Sequence, residues 1–207
     1  MEWHPSATLQ ERKILRSGLL RHSGAVSHSP VSEFLSEENI LRFFGEESKI
    51  EVVEALVGSL HGRDHEAALQ AIWAREREGA LRIAPDIGIL RGRLEDVHHI
   101  RAAIGLCSSG IVDPSNPDGK TRIFVLFVGP VNQTRLHAGL LVRISALFHN
   151  RRLVEKLLRA KTGKQTLEIL RQAESPGSQT SFFKRGFRKV AEFFKNRYAL
   201  GVPDGGT

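Results

Sequence analysis

The stretch that most limits the fold is TRIFVLFVG, Thr121 to Gly129, where six apolar residues run unbroken from Ile123 to Val128. Bounded by loop residues, such a run reads as a central strand buried on both faces. A sheet covered on both faces needs helices above and below it. A Pro/Asn/Asp/Gly loop, DPSNPDGK, precedes the run. Helical segments follow it: NQTRLHAGLLVRISALFHN, RRLVEKLLRAK and TGKQTLEILRQAE. The expected class is therefore α/β, a mixed and mostly parallel sheet flanked by helices.

Upstream, SKIEVVEALVGSLHG opens with a capping box, Ser48 with Glu51, and sets Ile50, Val53, Val57 and Leu60 on one helical face. HEAALQAIWAREREG does the same with Leu69, Ile72 and Trp73 and stops at Gly79. Two more strands are expected, Ile87–Arg91 and roughly Ile100–Ser108. The first is read as running out at Arg91-Gly92-Arg93, where a glycine frees the backbone for a turn.

Charge is uneven along the chain. Residues 1–30 hold four Lys/Arg against two acids, residues 181–207 six against two, and residues 31–180 twenty against nineteen. The +7 net charge thus sits in the ends, whereas a nucleic-acid domain concentrates its excess on a folded face. No specific nucleic-acid partner is expected. Cys107 stands alone, which excludes an internal disulfide and fits a reducing compartment, and neither a signal-like nor a membrane-spanning run is present, so a cytoplasmic location is expected. The expected organisation is a basic flexible segment over 1–30, a folded domain over 31–174, a linker over 175–181 and a basic amphipathic tail over 182–207. In that tail, residues 182–198 interleave Phe and Lys/Arg at helical spacing, as in helices that lie on anionic bilayers, and a peripheral membrane contact is one expectation there.

Four residues are candidates for chemistry. His137 falls in line with Leu140, Leu141, Ile144 and Phe148, so it faces inward near a helix N-terminus, which disfavours the imidazolium. Arg75 opens the charge run Arg75-Glu76-Arg77-Glu78, read as solvated. His98 and His99, adjacent on a strand, would point to opposite faces and have no Cys or carboxylate partners at ligand spacing. No metal and no cofactor are expected.

The block from Val31 to about Glu174 resembles the type-2 enzyme IIA domain of the phosphoenolpyruvate-dependent phosphotransferase system, nearest its nitrogen-regulatory branch. VSEFLSEENI and SKIEVVEAL resemble the family's opening strand and first helix, and Arg75-Glu76 its second helix. PVNQTRLHAGLLVRISALF resembles the helix carrying its second histidine, at His137, and RRLVEKLLRAKTGKQTLEIL its closing helices. Where the family has Gly-Ile-Ala-Ile-Pro-His-Gly, this chain has Asp86-Ile87-Gly88-Ile89-Leu90-Arg91-Gly92. The resemblance therefore places the phosphoryl-accepting histidine at Arg91, the proline at Leu90, and the family's turn glycines and threonine at Leu81, Arg82 and Asp86. Arginine has no lone pair with which to attack phosphorus.

The resemblance thus implies a degenerate domain that regulates by docking to proteins, such as a phosphocarrier, a transporter or a kinase. Arg75, Arg91 and His137 would then form a candidate anion-binding pocket. Two alternatives stand beside it: an active phosphocarrier using His98, His99 or His137, and a regulatory domain recruited to a membrane by its tail.

Overall fold

In a computed structural model the described residues are 29–175, apart from 63, 117 and 118. The expected flexible basic segment and amphipathic tail fall almost wholly outside them. Two 3-10 turns, Val31–Phe34 and Glu37–Asn39, lead into strand β1 (Ile40–Phe43). Helices α1 (Lys49–Gly58) and α2 (His65–Glu78) follow, then β2 (Leu81–Ala84), β3 (Ile87–Leu94), β4 (Arg101–Val112) and β5 (Lys120–Pro130). Helices α3 (Thr134–Phe148), α4 (Arg151–Arg159) and α5 (Gly163–Glu174) complete the order.

The five strands form one sheet in the order β1-β4-β5-β3-β2. It is mixed, as expected, but parallel pairing does not predominate. β1 with β4 and β3 with β5 are parallel, whereas β2 with β3 and β4 with β5 are antiparallel. Chain connection explains the balance. Parallel neighbours need a long crossover, while Pro85-Asp86 and the loop after Val112 return the chain directly as hairpins.

The apolar run of β5 splits as its alternation requires. Ile123, Val125 and Phe127 join the core beneath α3, α4 and α5. Phe124, Leu126 and Val128 join the core beneath α1 and α2. Burying three large side chains on each face contributes roughly 1.5–3 kcal/mol per side chain, which makes β5 the spine of the sheet.

The capping box of α1 is present: Ser48 Oγ accepts from Glu51 N at 3.3 Å and Ser48 N donates to the Glu51 carboxylate at 2.7 Å. The buried stripe, however, is Lys49, Val52, Val53, Leu56, Val57 and Leu60, and Ile50 is 57% exposed. Val53, Val57 and Leu60 are buried as expected, but a lysine holds the first inward position and Ile50 falls outside the stripe.

β3 does not end at Arg91. It runs on to Leu94 in unbroken parallel register with β5, Arg91 opposite Phe127, Gly92 opposite Val128 and Leu94 opposite Pro130. Gly92 serves packing rather than a turn. A Cβ there would lie 3.1 Å from Val128 Cγ1, 3.3 Å from Ala71 Cβ and 3.3 Å from Ile72 Cγ1, so the missing side chain is what lets α2 close onto the strand. Gly92→Val is expected to lower unfolding free energy by about 2 kcal/mol through overpacking, with Gly92→Ala losing less, read from urea titrations. Equal stability of Gly92→Val and wild type would show that α2 is not seated as described.

Candidate functional site

Alternation along β3 fixes where Arg91 points. Ile87 and Ile89 belong to the α3–α5 core and Leu90 and Leu94 to the α1–α2 core, so Arg91 shares the α3 side with Ile87 and Ile89. β2 pairs with β3 only from Ile87 to Ile89, so at Arg91 the strand forms the margin of the sheet. Arg91 is nonetheless buried.

His137 lies in the first turns of α3, buried at 5% exposure, in line with Leu140, Leu141, Ile144 and Phe148 as expected. Its ring packs on Phe127, centroids 5.7 Å apart and planes at 54°. A Cβ on Gly129 would stand 2.9 Å from His137 Nε2, so that glycine is what allows the ring to reach the strand. Phe127 is also the register partner of Arg91. The fold thus brings Arg91 and His137 to one face of the sheet, each beside Phe127.

Arg75 is on the other layer, in α2, with Nη1 2.7 Å from Glu78 Oε2. No described contact joins it to Arg91 or His137. His98 and His99 are not on a strand: they lie exposed in the loop between β3 and β4, their rings 6.4 Å apart. Among the described residues no group of three or more His, Cys, Asp or Glu is placed to hold a metal.

The charge run after Arg75 is not all solvated. Glu76 turns inward to Lys49, whose Nζ also meets Asp113 Oδ1 at 3.0 Å. Asp113 Oδ2 meets Arg82 Nη1 at 2.9 Å and accepts from Thr121 Oγ1 at 3.0 Å. Oδ1 further accepts from Ser115 N at 2.9 Å. Lys49, Arg82 and Asp113 are buried, and the Glu76 side chain is only 9% exposed. Two cations and two anions therefore form a neutral cluster that joins α1, α2, β2 and the β4–β5 loop. Burial is the largest influence on the Asp113 carboxyl and pushes its pKa up. The charge and hydrogen bond of Lys49, with those of Ser115 and Thr121, outweigh it and hold the carboxyl below its ordinary value.

The turn into β3 is tied down by the same chemistry. The Asp86 carbonyl accepts from Arg122 N at 2.8 Å and Ile123 N at 3.1 Å, and its carboxylate meets Arg151 Nη1 at 2.7 Å. Arg82 also donates to Thr121 Oγ1 at 2.8 Å and to the Pro85 carbonyl, which Asn116 Nδ2 meets at 2.9 Å. Arg82 and Asp86, two of the three positions where the resemblance places the family's turn residues, are thus anchors holding the β2–β3 hairpin.

By fold this is an enzyme IIA sandwich. It is similar to the nitrogen-regulatory protein IIA-Ntr of Neisseria meningitidis, with a TM-score of 0.61 at 21% identity, over 68% of this chain and 98% of that one. The mannitol-specific cryptic phosphotransferase enzyme IIA of Escherichia coli gives 0.55 at 19% identity, over 70% and 99%. The mannitol enzyme IIA of Escherichia coli, in a complex with phosphorylated enzyme IIB, gives 0.54 at 17% identity, over 67% and 97%. The chain belongs to the EIIA 2 family of the phosphoenolpyruvate-dependent sugar phosphotransferase system, whose model matches residues 33–173. No curated protein matches it in sequence. No helix among the described residues is long and apolar enough to cross a membrane.

Proposed function

We propose that this is a regulatory, protein-binding member of the family that carries no phosphoryl group in the orthodox way. The observation that carries the reading is Arg91 at the position the resemblance gives to the accepting histidine. It sits in continuous strand, beyond a hairpin whose ends are fixed by buried and half-buried ion pairs. A guanidinium offers no nucleophilic nitrogen at any pH of interest. Where a phosphorylatable member changes state, this chain presents one fixed cationic state, and a carboxylate or phosphate of a docked protein reaches the buried Arg91 and His137 pocket only by opening it. Arg75 joins that pocket only if a partner draws it from Glu78. Partners of the kind are consistent with the mannitol relative bound to phosphorylated enzyme IIB. The reading calls for no metal or cofactor and fits a cytoplasmic setting.

Incubation with phosphoenolpyruvate, enzyme I and a phosphocarrier tests it. The expected outcome is no acid-labile phosphate on the chain, by mass spectrometry under alkaline conditions. His98 and His99 are the accessible rings, and His137 is buried against Phe127. Phosphate on any of the three would establish the active-carrier alternative instead.

A further inference from the structure

Helix α4 turns its apolar side, Leu153, Val154, Leu157 and Leu158, wholly into the core. Its outward side is nearly all cation. Arg152, Lys156 and Arg159 are exposed at the helical spacing i, i+4, i+7, a stripe about 10 Å long. Exposed Lys161 and Lys164 extend it through the connection into the first turn of α5.

Neighbouring acids are engaged elsewhere. Glu155 takes Arg122 Nη1 at 3.0 Å and Arg151 Nη2 at 3.8 Å, and Asp86 takes Arg151. Glu168, a turn beyond Lys164, accepts from Gln172 Nε2 at 3.0 Å. The hydrogen bond from Arg122, the main influence, holds the Glu155 carboxyl below its usual range, and Arg159 adds to this without forming an ion pair. None of the five stripe cations has an ion pair among the described residues.

Only the first member of the stripe opposes the helix it stands on, since Lys156 and Arg159 lie in the last turn, where the dipole favours cations. Cations at the N-terminus meet the positive end of the dipole, and like charges at i, i+4 repel. Arg151 is compensated by Asp86 and Glu155; Arg152 is not. An exposed row of cations with no ion pair among the described residues is matched by an external anion. A protein would be a poor match, because protein interfaces centre on apolar and aromatic groups and are depleted in lysine, and this face exposes no apolar residue. It also lacks aromatics on which bases could stack. A layer of anionic headgroups needs only charge. Residues 182–198 hold six Lys/Arg against one Glu, a second cationic stretch of the kind an anionic layer attracts.

We propose that the outer face of α4 and the start of α5, through Arg152, Lys156, Arg159, Lys161 and Lys164, docks the domain on an anionic bilayer surface.

The full chain should sediment with vesicles of phosphatidylcholine plus phosphatidylglycerol and not with phosphatidylcholine alone, and added salt should release it. A lysine or arginine close to such a surface strengthens binding about fivefold. The triple variant Arg152→Gln, Lys156→Gln, Arg159→Gln should therefore bind about 100-fold more weakly, with a melting temperature close to that of wild type. A second variant, Lys161→Gln with Lys164→Gln, should lose about 25-fold and guards against misfolding of the first. Undiminished sedimentation of both variants, or equal uptake by neutral vesicles, overturns the proposal. Binding to duplex DNA with no uptake by anionic vesicles overturns it as well and assigns the stripe to nucleic acid.

Discussion

Asp113→Ala is expected to cost about 3–5 kcal/mol of folding free energy, the usual penalty for removing one partner of a buried ion pair. The cost lies in what is left behind. Lys49 and Arg82 would remain buried, Lys49 with Glu76 and the Ser115 hydroxyl and Arg82 with only neutral oxygens from Thr121 and Pro85. The loss also cuts β2 off from the α1–α2 pair, since among the described residues Asp113 is the group that meets both cations. Urea titrations at neutral pH measure it, and a cost below about 1 kcal/mol would mean that the cluster is wet rather than buried.

The same carboxylate gives a pH dependence of definite sign. Its folded pKa is below the ordinary value of 3.8, so its stabilisation is fully present above that value. It is lost as the pH falls through 3.8 and on toward the folded pKa. Wild type should therefore lose stability in acid more steeply than Asp113→Asn, and the two curves should converge below the folded pKa.

What the sequence disclosed and what it hid separate by physical cause. Burial patterns were legible: the β5 run, the capping box at Ser48, the stop at Gly79 and the inward face of His137 all follow from periodicity and local backbone chemistry. Charged and glycine positions were not, because their role depends on neighbours distant in sequence. Gly92 looks like a turn residue until α2 is seen lying on it. Glu76 looks solvated until Lys49 is found 27 residues upstream. A signal existed for Lys49, which continues the stripe of Val52, Val53, Leu56 and Val57 one turn back, the phase of a buried position. His98 and His99 were assigned to a strand that begins only at Arg101. That Arg91 and His137 lie on the same face, each beside Phe127, needed the register of β3 against β5, which no single-strand pattern supplies.

Arg82→Gly is expected to destabilise the chain about as much as Asp113→Ala, and this decides how an acceptor site can be tested by reconstruction. Arg91→His alone should take up no phosphoryl group above background. A histidine there still needs its nitrogen about 3–3.5 Å from phosphorus, and the hairpin ahead of it is pinned in its present shape. The obvious remedy restores the family pattern with Leu81→Thr, Arg82→Gly, Asp86→Gly, Leu90→Pro and Arg91→His together. Arg82→Gly, however, leaves the buried Asp113 carboxylate with Lys49 as its remaining cation, and Asp86→Gly cuts the tie to Arg151. The fivefold variant should therefore lose at least about 3–5 kcal/mol, a large share of the roughly 5–15 kcal/mol that holds an ordinary domain together. Adding Asp113→Asn removes the stranded charge, so the sixfold variant should regain part of that loss, and its phosphorylation is the meaningful assay. Should Arg91→His by itself accept phosphate as fast as a stably folded sixfold variant, the hairpin anchors never blocked the reaction, and the substitution at position 91 alone separates this chain from an active carrier.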